Sequence, residues 1–178
     1  MTYQEALRYF GSDYQLASAV KQGRLRKPKR GLYSISEDVS PYAAAAKLYP
    51  HAVVTMDSAF YIHGLTDVVP SKIHLATKRN ATRIKDPDIR QYFTEKRLLE
   101  PGSTLMEYDG AEIRIYTPER MLVELMRNAA TLSPDYYKEI INEYRRRVNE
   151  LDIRAVEDLM DLFKRTDTMF DILQKEVL

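Results

Sequence analysis

Apolar positions recur at helical spacing at the start of the chain, at mixed spacing in its middle, and at helical spacing again to its end. Ala6, Leu7 and Phe10 form one face of a segment beginning at Thr2, and Thr2 with Glu5 has the spacing of a capping box. Ser12 and Gln15 repeat that spacing ahead of Leu16, Ala19 and Val20, whose pattern predicts a second helix. Gly23 follows at the place of a left-handed C-terminal cap, where the missing Cβ removes the steric penalty. Leu25, Leu32, Tyr33 and Ile35 then mark two short strand-like arms around KPKRG, a turn-prone tip. Helix, helix and hairpin are thus predicted over residues 1–36.

A polar connector from Ser36 to Ser40 places a domain boundary there. Pro41 opens YAAAAKLY, a helix that must end before Pro50. Ala52 to Val54 reads as a short buried strand or as a linker, and Asp57 as the cap of a helix that Gly64 stops. Ile73 to Thr77, Tyr92 to Lys96, Thr104 to Tyr108 and Glu112 to Tyr116 read as strands, the last two joined by Asp109-Gly110, a hairpin signal. Strands and helices interspersed without βαβ spacing predict a mostly antiparallel α+β segment. Thr117-Pro118-Glu119 and Ser133-Pro134-Asp135 each combine a cap, a proline in the first turn and an acid near the positive end of the helix dipole. Two more helices are expected from Asp152 and from Thr166 or Asp167, so the chain should end in a small helical bundle.

Composition narrows the class. With 44% hydrophobic residues, 178 residues suffice for one domain or two small ones, and no stretch reads as low complexity. No apolar run is long enough to span a bilayer and MTYQEALRYF is not a signal peptide, so a cytoplasmic protein is expected. The absence of cysteine excludes disulfides and thiolate metal sites. Thirteen tyrosines suit half-buried packing first and interfaces second.

Charge changes the picture more. Between Tyr14 and Ser36 there are six basic residues and no acid, in a chain whose net charge is only +1. Such a local field attracts phosphates and is the electrostatic footprint of a nucleic-acid contact. Gln15, Ser18 and Lys21 lie off the apolar face, where they would reach base edges, with Asp13 and Tyr14 at the helix start. Arg24, Arg26, Lys27, Lys29 and Arg30 would hold phosphates of double-stranded DNA. A second basic group, Lys78, Arg79, Arg83 and Lys85, extends that track or is simply a solvated loop; the solvated loop is favoured. From Glu150 to the end there are eight acids and four bases, the wrong sign for a phosphate backbone and suited to a basic partner.

Enzymatic chemistry finds little support. His51, His63 and His74 match no metal-ligand spacing, and His63 reads as a helix C-terminal residue favoured by the dipole. Asp86, Asp88, Asp109 and Glu112-Ile113-Arg114 lack the lysine that carboxylate-metal nucleases use. No phosphate loop and no nucleophile, base and oxyanion set can be assembled, so neither catalysis nor a cofactor is expected.

The run LASAVKQGRLRKPKRGLYSI resembles the winged helix-turn-helix of AbiEi-type antitoxins, the regulatory halves of bacterial abortive-infection toxin–antitoxin operons. Ser58 to Arg79, SAFYIHGLTDVVPSKIHLATKR, resembles a second stretch of these proteins, and ERMLVELMRN followed by DYYKEII is a looser third. The resemblance implies a winged-helix DNA-binding part over 1–36, shortened because Thr2 to Gly11 takes the place of the second of the usual three helices. Over 37–178 it implies an α+β antitoxin-like domain ending in the helical bundle. It further implies a regulator that represses its operon and counteracts a nucleotidyltransferase toxin. The competing expectation is a protein-interaction module that no longer reads DNA and uses the acidic C-terminal helices.

Overall fold

The computed structural model describes residues 1–164 and 166–178. The chain forms two compact units, Met1–His51 with Met106–Ile113, and Ala52–Leu105 with Arg114–Leu178. The architecture is α+β, as its patterning predicts.

In the first unit, α1 (Tyr3–Phe10) starts at a complete capping box. Glu5 N–H donates to Thr2 Oγ1 at 3.3 Å while Thr2 N–H donates to Glu5 Oε2 at 2.7 Å. In α2 (Asp13–Lys21), Ser12 accepts from Gln15 N–H at 3.2 Å. The helix closes through paired bonds, Gly23 N–H to Val20 O and Arg24 N–H to Ala19 O, with Gly23 at φ 71°. β1 (Arg26–Lys29) and β2 (Leu32–Ser34) form the antiparallel hairpin, and Arg30 and Gly31 lie between their last paired residues. Residues at the chain start line the hairpin's other edge, since Tyr33 N–H donates to Met1 O at 2.8 Å and Thr2 bridges Leu32. Ala6, Leu16, Ala19, Leu25 and Tyr33 make the core. Ile35 lies outside β2 and is exposed, so it is no part of that core.

This unit runs past Ser36 through α3 (Pro41–Leu48), which Ser40 caps. The reason is packing: α3 lies on β2, and Lys47 Nζ reaches Glu5 Oε1 of α1 at 2.9 Å.

The second unit is organised on a five-stranded sheet in the order β5-β4-β3-β7-β6, of which the β6–β7 tip, Met106–Ile113, belongs to the first unit. Its strands are β3 (Val53–Val54), β4 (Ile73–Lys78), β5 (Ile89–Thr94), β6 (Ser103–Tyr108) and β7 (Ala111–Tyr116). β3 pairs antiparallel with β4, whereas β4–β5 and β3–β7 are parallel, so the sheet is mixed rather than mostly antiparallel. The cause lies in the connections, because residues 79–88 cross over instead of turning back. Asp109 and Gly110 between β6 and β7 take φ 51° and 72°, the positive values that a two-residue hairpin turn needs.

Helix α4 (Met56–Ile62) has Thr55 at its N-cap position, two residues before the expected cap Asp57, which lies inside the first turn, and Met56 takes φ 46°. The short α5 (Lys96–Leu99) occupies the place expected for the end of a strand. Then follow α6 (Pro118–Asn128), α7 (Pro134–Arg146), α8 (Ile153–Met160) and α9 (Thr166–Ile172). Thr117 and Asp152 make their cap bonds; Ser133 marks the right position without one. No described helix is long and apolar enough to cross a membrane.

Candidate nucleic-acid interface and the charged interior

On α2, Leu16 and Ala19 face the core, so the 3.6-residue period turns Gln15 and Lys21 outward, both exposed. Ser18 is half-buried and accepts from Gln22 Nε2 at 3.1 Å, which leaves it less free to contact a ligand. Tyr14 is 84% exposed at the helix start, while Asp13 accepts from Tyr3 Oη at 2.6 Å.

Past Gly23 the hairpin fans out the remaining bases. Arg24 Nε donates to Gln22 Oε1 at 2.9 Å. Arg26 pairs with Glu37 of the connector, an acid just outside the acid-free stretch and therefore invisible to a count of that stretch. Lys27 Nζ stands 5.6 Å from the Tyr33 ring centre. Arg30 is exposed at the tip, and Lys29, half-buried, is held by a neighbour. Two grooves flank the hairpin: one of about 450 Å³ between Tyr3, Leu16, Lys21 and Lys27, and one of about 440 Å³ beside Gly23, Arg26 and Glu37. The structure thus brings Gln15, Lys21, Arg24, Arg26, Lys27, Lys29 and Arg30 onto two consecutive elements of one unit, with Ser18 partly engaged.

In the second unit charge lies inside. Arg120 is fully buried, yet Nε and Nη2 donate to Glu124 Oε1 at 3.1 and 2.8 Å, and Nη1 to Pro101 O at 2.7 Å. Its guanidinium also lies 4.4 Å from the Tyr116 ring centre. Arg127 binds the other Glu124 oxygen at 2.8 Å. These residues were hidden in the sequence by the apolar run around them, though Arg120 and Glu124 are spaced i, i+4. Next to them is a cleft of about 530 Å³, lined by residues that include Arg79, Phe93, Glu124, Arg127 and Phe163.

The histidines also differ from expectation. His63 ends α4, but its Nε2 is 2.7 Å from Tyr116 O and burial pushes its pKa down. Burial thus works against the cation that a helix dipole favours, while the bond to Tyr116 O and the Glu119 charge work for it. His74 is buried, and its Nδ1 accepts from Asp57 N–H at 3.3 Å, with Tyr92 Oη at 3.2 Å. Its Nε2 lies 3.7 Å from Asp57 Oδ2. Burial lowers its pKa, Asp57 opposes that, and Arg90 adds to it. His51 is exposed. Among the described residues no three His, Cys, Asp or Glu gather in a metal-binding group. Asp86 and Asp88 lie in the β4–β5 crossover, and Asp109 and Glu112 at the β6–β7 turn.

Residues 52–168 match the family model of the AbiEi antitoxin C-terminal domain. No curated protein matches the chain.

Proposed function

Because the chain belongs to the AbiEi antitoxin C-terminal domain family over residues 52–168, we propose that it is an antitoxin-like transcriptional regulator working in the cytoplasm. In this reading the first unit binds operator DNA as a winged helix-turn-helix, and the second counteracts a nucleotidyltransferase toxin. The observation that carries DNA binding is the capped α2 followed directly by a basic hairpin, with Gln15 and Lys21 outward and Arg24, Lys27 and Arg30 beside them. Ser18 and Lys29 belong to the same surface, and Arg26 joins it once a phosphate displaces Glu37. One helix of this length reads few base pairs, so specificity calls for two molecules on repeated half-sites.

Fluorescence anisotropy of the protein on its own upstream duplex and on a scrambled duplex, across a salt series, tests the reading. Preference for the native duplex is expected, with log affinity falling by about 0.9 per phosphate contacted for each unit of log salt. No binding to either duplex at low salt would overturn it. A stable toxin complex in its place would favour the protein-interaction module built on the acidic C-terminal helices.

A further inference from the structure

The hairpin is not the only basic surface. From Lys72 to Arg97 there are eight bases and three acids. Elsewhere in the second unit arginines are held by carboxylates: Arg97 by Glu95, Arg120 and Arg127 by Glu124, Arg147 by Glu143. Among the described residues Lys78, Arg79, Arg83 and Lys85 form no such pair.

A loop whose charges serve only solvation needs no fixed shape, but this one is fixed. The Gln91 amide on β5 accepts from Ile84 N–H at 2.8 Å and donates to Thr77 Oγ1 at 2.8 Å and Thr82 O at 3.2 Å. Arg79 N–H donates to Thr94 O at 2.8 Å, which ties the loop's first base to the end of β5. The unpaired cations are thereby held in place before any partner arrives, so binding costs less ordering.

β5 is an edge strand, and Phe93 on it is 49% exposed. Arg79 and Phe93 both line the 530 Å³ cleft, whose wall also carries the Arg127 guanidinium 3.9 Å from the Phe163 ring centre. Exposed aromatic faces interleaved with unpaired bases are what unstacked nucleotides recognise, whereas a duplex keeps its bases out of reach of such faces.

We propose that the β5 edge and the β4–β5 crossover form a second nucleic-acid surface, specific for single strands. Arg79, Arg83 and Lys85 hold consecutive phosphates, Phe93 stacks one base, and the cleft admits the next. This surface is independent of the duplex reading of the first unit.

The test is anisotropy of the full chain with a fluorescein-labelled 20-nucleotide single strand of mixed sequence, as RNA and as DNA, and with the corresponding duplex. Phe93→Ala should weaken single-strand binding roughly tenfold. Arg79→Gln/Arg83→Gln/Lys85→Gln should lower the salt slope by about 2, at about 0.7 per phosphate. Both variants should bind the duplex as the parent does, and Arg24→Glu/Lys27→Glu/Arg30→Glu should leave single-strand binding intact. Circular dichroism confirms that each is folded. The proposal is overturned if no single strand binds at low salt, if the crossover variants bind it unchanged, or if the crossover instead proves to be where an acidic protein docks. Loss of duplex binding alone would strike the first unit's reading and spare this one.

Discussion

The two units use charge in opposite ways. In the second, Arg120 is enclosed, with Nε and Nη2 donating to Glu124, Nη1 donating to Pro101 O, and the Tyr116 ring beside the guanidinium. In the first, the core holds Ala6, Leu16, Ala19, Leu25 and Tyr33 and no charge at all, while its bases stand outside, and within the Tyr14–Ser36 stretch Arg24, Lys27 and Arg30 are exposed with no ion pair among the described residues. Enclosed charge is paid for by desolvation and must be paired, so it belongs to the fold. Exposed like charges repel and gain the fold nothing, so their clustering points outward, to a partner.

The strongest test of that contrast is Arg120→Met. Removing the guanidinium leaves Glu124 with Arg127 on one oxygen and no donor on the other, in a largely dry environment, and should cost about 3 kcal/mol, read from urea unfolding. The double variant Arg120→Met/Glu124→Leu should recover part of the loss, because the unanswered carboxylate oxygen goes with it and Arg127 is partly exposed to water. Equal destabilisation by the double and single variants would mean that packing, not pairing, is what Arg120 supplies.

Next in size is a glycine comparison. Gly102 has φ 73°, and an added Cβ would stand 2.6 Å from Arg120 Cβ. Gly102→Ala therefore combines left-handed strain with overpacking, about 2–4 kcal/mol together. Gly23, at φ 71°, has nothing within 4 Å, so Gly23→Ala should cost only the strain, about 1–2 kcal/mol. Equal losses at the two sites would show that the wall around Arg120 gives way.

A smaller effect separates the units by pH. His63 and His74 have pKa values lowered from 6.5, chiefly by burial. In the window just below 6.5 the unfolded chain binds more protons than the native one, so stability falls as pH drops through it. His63→Gln/His74→Gln should flatten that slope in urea midpoints measured from pH 8 to 5. Glu5 in the first unit behaves otherwise: the Thr2 N–H and then Lys47 hold it down to about 2, so its contribution is lost only as pH falls below 4.5.

Legibility in the sequence followed the range of the interactions. The helix starts at Thr2, Ser12, Thr117 and Asp152 were readable because each cap acts within one turn. The Asp109-Gly110 turn was readable for the same reason. Parallel pairing of β3 with β7 was not, since Val54 meets Ile115 and a two-residue strand carries no periodicity. In α6 the apolar positions Met121, Leu122, Leu125 and Met126 follow a helical period and mark one face, yet Arg120, Val123 and Glu124 are buried too, because the helix is packed on all sides. On the candidate surface, the exposure of Gln15 and Lys21 follows from helical period. The pairing of Arg26 with Glu37 does not, for it joins residues 11 apart through a hairpin.

The smallest expected stability effect is the one that decides what the hairpin is for. Arg24, Lys27 and Arg30 are exposed, and none forms an ion pair among the described residues. Reversing all three to Glu should shift unfolding free energy by no more than about 0.5 kcal/mol per site, with some gain from relieved repulsion. Duplex affinity, by contrast, should collapse, because three attractions to phosphate become three repulsions. A folded triple variant that still binds the native duplex with the parent's salt slope would end the assignment of the hairpin to DNA. One that loses stability as Arg120→Met does would erase the contrast between the units, since the exposed bases would then be part of what holds the first unit together.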